Sequence, residues 1–195
     1  TGRAAYSNAS EWAIEEMDKA EIYDLIPDIL KGEDMTQLIT RQEFAALSVR
    51  LYESLIKTDA AIVDEPFEDI DDEDVAKAYG LGITKGVSDT LFAPDKDISR
   101  EEVATMLTRT LKAYLPELDT SCSSTFKFDD DFAISDWAKE SVYFMVSKNI
   151  ILGIGNNKFA PRNITSSEEA MKYANSTREQ ALLLAVRAFE AFQSN

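Results

Sequence analysis

Internal repetition constrains this 195-residue chain more than any other feature. Ile39-Thr40-Arg41-Gln42-Glu43-Phe44 returns as Ile98-Ser99-Arg100-Glu101-Glu102-Val103, and again as Ser176-Thr177-Arg178-Glu179-Gln180-Ala181. Each copy has a hydroxyl residue, an arginine, a variable residue and then Glu or Gln, before an apolar run. That order is a capping box: the hydroxyl and the Glu/Gln side chain each satisfy a backbone N–H at a helix start. An arginine in the first turn is unexpected, because the helix dipole favours negative charge there.

The units can be aligned by counting. The motif arginines lie 59 and 78 residues apart, and a second arginine follows each by nine (Arg50, Arg109, Arg187). Gly86 precedes Phe92 by six residues, as Gly153 precedes Phe159; Trp12 precedes Leu25 by thirteen, as Trp137 precedes Ile150. A period above 50 with helix–loop–helix content predicts a tandem array of units that bury a shared core. The expected fold is all-α, with three units at 1–58, 59–118 and 119–195 forming one structural domain. The third holds a helical insertion near 165–176.

Within the units, Ser10 opens a predicted helix to about Asp24, with Trp12, Ile14, Met17, Ala20 and Ile22 on its buried face. Phe44, Leu47, Leu51 and Leu55 form a stripe on the helix from Arg41. A short helix is expected around 72–79, and one from Arg100 carrying Val103, Met106, Leu107 and Leu111 should stop at Pro116. Another should carry Trp137, Val142 and Met145, an inserted segment should span about Ser167–Ala174, and a last helix should carry Leu184, Ala185 and Ala188.

Composition excludes several classes of function. Net charge is −16, against affinity for nucleic acid or anionic membrane, both of which need basic surface. Histidine is absent and Cys122 is the single cysteine. His-based catalysis, zinc sites and internal disulfides are thereby ruled out. No apolar run approaches a bilayer span, and no signal peptide is visible. Thr1-Gly2 reads as the start of a fragment. The acidic runs Asp69-Ile70-Asp71-Asp72 and Asp129-Asp130-Asp131 lack EF-hand spacing and read as helix caps or solvated loops, so no metal or cofactor is expected.

With these residues in view, the chain resembles three S-layer homology repeats. That family's pattern runs roughly F-x-D, a Trp-bearing helix, a G-I-x-x-G turn, F-x-P and I-T-R-x-E-F. Phe67/Asp69, Gly82-Ile83/Gly86, Phe92/Pro94 and Ser99-Arg100-Glu101-Glu102 match in the second unit. Phe128/Asp130, Trp137, Asn149-Ile150/Gly153, Phe159/Pro161 and Thr177-Arg178-Glu179-Gln180 match in the third. The first has Tyr6/Asn8 for F-x-D and no F-x-P loop; the second has Ile70 where a Trp is expected.

The resemblance implies a pseudo-threefold, three-pronged helical domain, monomeric, with the second helices near its axis. It also implies grooves between prongs that hold a pyruvylated secondary cell wall polysaccharide non-covalently, the motif arginine meeting the pyruvate carboxylate. The implied glycan-binding residues are Arg41, Arg100 and Arg178, with Thr40, Ser99 and Thr177 beside them. Asp69, Asp130, Trp12, Trp137, Gly86 and Gly153 follow as weaker carry-overs. The implied setting is the cell surface of a Gram-positive-type bacterium, the parent protein carrying the signal peptide. No catalytic activity is expected.

The residues themselves leave alternatives open. A helix N-terminus with free N–H groups beside an arginine fork suits a carboxylate, yet each arginine could instead bridge to an acid of a neighbouring unit. Trp12 and Trp137 could stack on sugar, although an aromatic on an apolar stripe is more often core. Arg50, Arg109 and Arg187, about 180° round the helix from the motif arginines, are expected to make inter-unit salt bridges or stay solvated. The rival reading of the whole is a helical protein–protein module that has lost glycan binding.

Overall fold

The computed structural model describes residues 5–123 and 125–193; the first four residues of the expected loose N-terminal stretch lie outside it. Among the described residues there are seven helices and no sheet. They are α1 (Ile14–Ile22), α2 (Arg41–Ile56), α3 (Glu73–Gly80), α4 (Arg100–Tyr114), α5 (Asp136–Ser147), α6 (Ser166–Met171) and α7 (Arg178–Phe192). The all-α class is as read from the sequence.

The three long helices start where the motifs stand. Thr40, Ser99 and Thr177 are their N-caps, and all three capping boxes are complete. Phe44, Leu47 and Leu51 are fully buried on α2, and Val103, Met106, Leu107 and Leu111 are buried on α4. Fully burying one such side chain contributes about 1.5–3 kcal/mol. α2 ends through Lys57 in the left-handed region, and α4 stops two residues short of Pro116.

The shorter helices share a different ending. Two residues beyond α1, α3 and α5 come Asp24, Gly82 and Asn149, with φ of 56°, 71° and 57°. The next N–H then reaches back into the helix: Leu25 to Ala20 O (2.8 Å), Ile83 to Ala78 O (2.9 Å) and Ile150 to Met145 O (3.0 Å). This is the 6→1 closure of a left-handed helix end, and it drives Leu25, Ile83 and Ile150 fully into the core. The thirteen-residue spacing counted from the tryptophans ends at these buried anchors.

Helix packing is cyclic. α2 packs on both α4 and α7, and α4 also touches α7, while α3 lies on α2, α5 on α4 and α1 on α7. Each first helix therefore docks on the second helix of another unit. α1 departs from its expected face: Met17 and Ala20 are buried, but Trp12, Ile14 and Ile22 are exposed. It also opens with a 3₁₀ turn, Glu11–Ala13.

Candidate functional site

The helix starts that seemed open to an anion are closed by backbone. Arg41 N–H donates to Lys96 O (2.9 Å) and Gln42 N–H to Pro94 O (3.1 Å). Arg100 and Glu101 N–H donate to Ala174 O and Pro161 O, and Arg178 and Glu179 N–H to Gln37 O and Met35 O. The third N–H meets the capping hydroxyl, at 3.3 Å for Thr40, 3.4 Å for Ser99 and 3.3 Å for Thr177. The cap's own N–H goes to Glu43, Glu102 or Gln180 at 2.9–3.0 Å. Loop carbonyls of the adjoining unit occupy the places a ligand would take, because buried N–H groups need partners.

The variable motif position also has a fixed role. Glu101 accepts from Ser135 N–H (2.8 Å) and Oγ (2.9 Å) ahead of α5, and Glu179 accepts from Ser10 N–H (2.8 Å) and Oγ (2.7 Å) ahead of α1. Gln42 donates to Asp72, the N-cap of α3, at 3.0 Å. No signal along the sequence shows this, since the partners lie up to 169 residues away.

The three motif arginines differ. Arg178 holds Glu43 through Nε (3.1 Å) and Nη2 (2.5 Å) and Asp34 O through Nη1 (3.1 Å), so all three nitrogens of its fork have partners. Glu43 is first among the contacts that raise its pKa. Arg41 is 5% exposed; it donates from Nε to Phe92 O (3.0 Å) and from Nη1 to Glu102 (2.9 Å), and lies over the Phe92 ring. Burial lowers its pKa and Glu102 partly offsets that. Arg100 donates to Phe159 O (2.9 Å) and Leu152 O (2.7 Å) over the Phe159 ring, with no carboxylate within 4.0 Å among the described residues. Its pKa too is lowered by burial. The acid that pairs with Arg41 or Arg178 stands at the third position of the next helix, where α7 has Gln180.

Asp69 and Asp130 hold loop backbone. Asp69 accepts from Phe92 N–H (2.8 Å) and Ala93 N–H (2.7 Å); Asp130 accepts from Phe159 N–H (2.9 Å) and Ala160 N–H (2.8 Å). Ala93 and Ala160 have positive φ, which these bonds help to fix. Gly86 (φ +77°) admits no Cβ: one would lie 2.5 Å from Phe67 Cε1 and 2.6 Å from Leu91 O. At Gly153 the obstacles are Lys158 O at 2.7 Å and Phe128 Cε1 at 2.9 Å. The Phe of each F-x-D element thus rests on the turn glycine.

The tryptophans are not core. Trp12 is 54% and Trp137 57% exposed, because each sits at the outer start of a first helix. Trp137 borders a groove of about 380 Å³ that also takes in Arg41, Lys85, Gly86, Val87 and Arg109. Of the sequence candidates, the structure brings together Arg41, Gly86 and Trp137 there, with Ser99 in an adjoining cleft beside Trp137. Arg100, Arg178, Trp12 and Gly153 do not line it. Lys85, Val87 and the role of Arg109 were missed. Only the nine-residue spacing marked Arg109, which donates to Ile83 O (3.4 Å) within its own unit instead of making an inter-unit bridge. Arg187 does the same with Ile150 O, and Arg50 pairs with Asp24 and Glu53.

Chemically the groove is a cationic strip beside an aromatic plate. Arg41, Lys85 and Arg109 face one carboxylate, Glu102. Burial is what lowers the Arg109 pKa, yet arginine stays charged at neutral pH. A carboxylate could meet these cations while an apolar sugar face lay on Trp137. Such a site can act locally on an acidic protein, because distant charge is screened beyond about 8 Å at physiological salt.

Parts of known proteins are similar to this chain in sequence. An exoglucanase of Acetivibrio thermocellus is 31% identical over 140 residues, 69% of this chain and 12% of its own length. A cell surface protein of Thermoanaerobacter kivui is 32% identical over 114 residues, 55% of this chain and 15% of its own. A cell surface glycoprotein of Acetivibrio thermocellus is 29% identical over 155 residues, 74% of this chain and 7% of its own. The chain thus spans a small part of each relative. Residues 68–104 and 127–171 match the S-layer homology domain, so the chain carries two S-layer homology segments, and both line the groove, with Lys85 and Gly86 from one and Trp137 from the other.

Proposed function

We propose that this chain is a non-catalytic wall-attachment module of a bacterial cell-surface protein. It binds an acidic, pyruvylated secondary cell wall polysaccharide in the groove bordered by Trp137. Residues 1–58 act as a third, diverged S-layer homology unit: they have the capping box and cyclic contacts, with Met35 and Asp34 in place of an F-x-P loop. The three units together form a pseudo-threefold body. The observation that carries the reading is the concentration of Arg41, Lys85 and Arg109 beside exposed Trp137 on a chain of net charge −16.

In this mechanism Lys85 and Arg109 meet the ligand carboxylate, and Arg41, already tied to Glu102, supplies the remaining edge of its fork. Charge-assisted hydrogen bonds of this kind contribute about 1.5–3 kcal/mol each. The test is binding of purified pyruvylated wall polysaccharide, against the same polymer with pyruvate removed, by the parent and by Lys85→Ala, Arg109→Ala and Trp137→Ala. Each substitution should weaken binding at least about tenfold, as should removal of pyruvate. Parent-like binding by all three variants would sink the proposal.

A further inference from the structure

The stretch 162–175, which includes α6, walls a second cavity, of about 550 Å³, lined in part by Lys96, Asp97, Trp137, Asn163, Glu169 and Lys172. Trp137 and Glu102 line this cleft and the groove alike, so the two adjoin at these side chains. We propose that the cleft is a second sugar subsite, which takes an uncharged residue of the polysaccharide whose acidic residue lies in the groove. This rests on the reading given under Proposed function.

Three observations carry it. The first is charge sorting. In the groove three cations face one acid, whereas in the cleft Lys96, Arg162 and Lys172 face Asp97, Glu101, Glu102 and Glu169. Each of those cations already has a carboxylate at 3.0–3.3 Å. An anion entering there would have to break ion pairs. Hydroxyl groups can instead bond to the outward edges of paired acids and bases, as neutral polar ligands do.

The second is preorganisation of the wall. Asn163 Oδ1 accepts from Ala174 N–H (2.9 Å), and its Nδ2 donates to Asn175 (2.8 Å) and Glu169 (2.9 Å). Lys172 ties the segment to Asp97 at 3.2 Å. A wall held this way loses little freedom when a ligand arrives. The third is size: pockets of roughly 300–1,000 Å³ hold drug-sized ligands, so a sugar unit fits.

The experiment uses two fragments of pyruvylated wall polysaccharide, the terminal pyruvylated monosaccharide and a tetrasaccharide that ends in it. Trp137 fluorescence in a Trp12→Phe background reports binding. The parent should hold the tetrasaccharide about tenfold tighter than the monosaccharide. Glu169→Phe and Lys96→Phe, at exposed side chains on the cleft, keep Trp137 as the single reporter and should erase that advantage while leaving monosaccharide affinity unchanged. A tetrasaccharide advantage that survives both substitutions, or its absence in the parent, overturns the subsite. If the parent binds neither fragment, the groove reading falls, and the subsite with it.

Discussion

Glu43 is the residue through which the joint between the third and first motifs can be measured. Its side chain is buried; one oxygen accepts from Thr40 N–H at 3.0 Å, and the pair embraces Arg178 at 3.1 and 2.5 Å. Glu43→Ala leaves the Arg178 guanidinium without its main acid and one N–H without an acceptor. Removing one partner of a buried pair costs about 3–5 kcal/mol. Arg178 keeps Asp34 O at 3.1 Å and Glu33 at 3.7 Å, which trims the figure to about 2–3 kcal/mol, and the lost cap adds about 1. The expected loss is thus about 3–4 kcal/mol, near 10 °C in Tm for a domain of this size. Glu43→Gln divides the terms, because Gln180 shows that an amide completes the same box at 3.0 Å. The Gln variant should lose the ionic part alone, about 1–2 kcal/mol. Urea unfolding with a common m-value measures both. Equal losses in the two variants, or losses below about 0.5 kcal/mol, would refute the assignment of Glu43 to the joint.

Gln180→Glu should restore the acid that Arg100 lacks and raise stability by up to about 1 kcal/mol, read as a Tm increase of a few degrees. Gly86→Ala places a Cβ on Phe67 and Leu91 O at positive φ, and should cost about 2–4 kcal/mol by chemical denaturation. Glu102 supplies a pH dependence. Burial alone would raise its pKa, but Ser99 N–H, Arg41 and Lys96 outweigh burial and hold it below its ordinary 4.5. The stability it contributes is therefore complete above 4.5 and is lost as pH falls below that value, through the folded-state pKa. Glu102→Gln should flatten that part of the unfolding profile, measured as the urea midpoint against pH.

The parts of the fold that were legible in the sequence are those set by neighbours along the chain. Capping boxes and the Phe44/Leu47/Leu51 stripe mark α2, α4 and α7, because a cap and its partner lie three residues apart. The thirteen-residue count found Leu25 and Ile150, which follow a left-handed helix end. The face of α1 was misread for the converse reason. Its partner is α7, more than 150 residues on, and a nine-residue helix with apolar groups around much of its surface does not declare which side meets it. The same holds for the groove. Lys85 lies before a turn glycine, Arg109 inside a helix and Trp137 on another helix, and only the packing of α5 on α4 makes them one strip.

That difference bears on what the repeated motif is for. Its hydroxyl serves its own helix, its second position tethers the next first helix, and its third both completes the cap and, where acidic, receives an arginine from another unit. Its backbone N–H groups take the neighbour's loop. Nearly every polar group of the pattern is thus engaged in joining units, so repetition of the motif records how the units are joined rather than how many ligands they hold. In the proposed groove, binding then depends on more than Arg41 and Arg109, which recur with the pattern, and draws on residues that the pattern does not dictate. Lys85 and Trp137 are such residues: Leu152 occupies the position matching Lys85 one unit on, and Ile70 the position matching Trp137 one unit back. Among the described residues, the cationic strip and Trp137 meet in the groove where the second and third units adjoin, and under the proposed function that groove takes the acidic glycan.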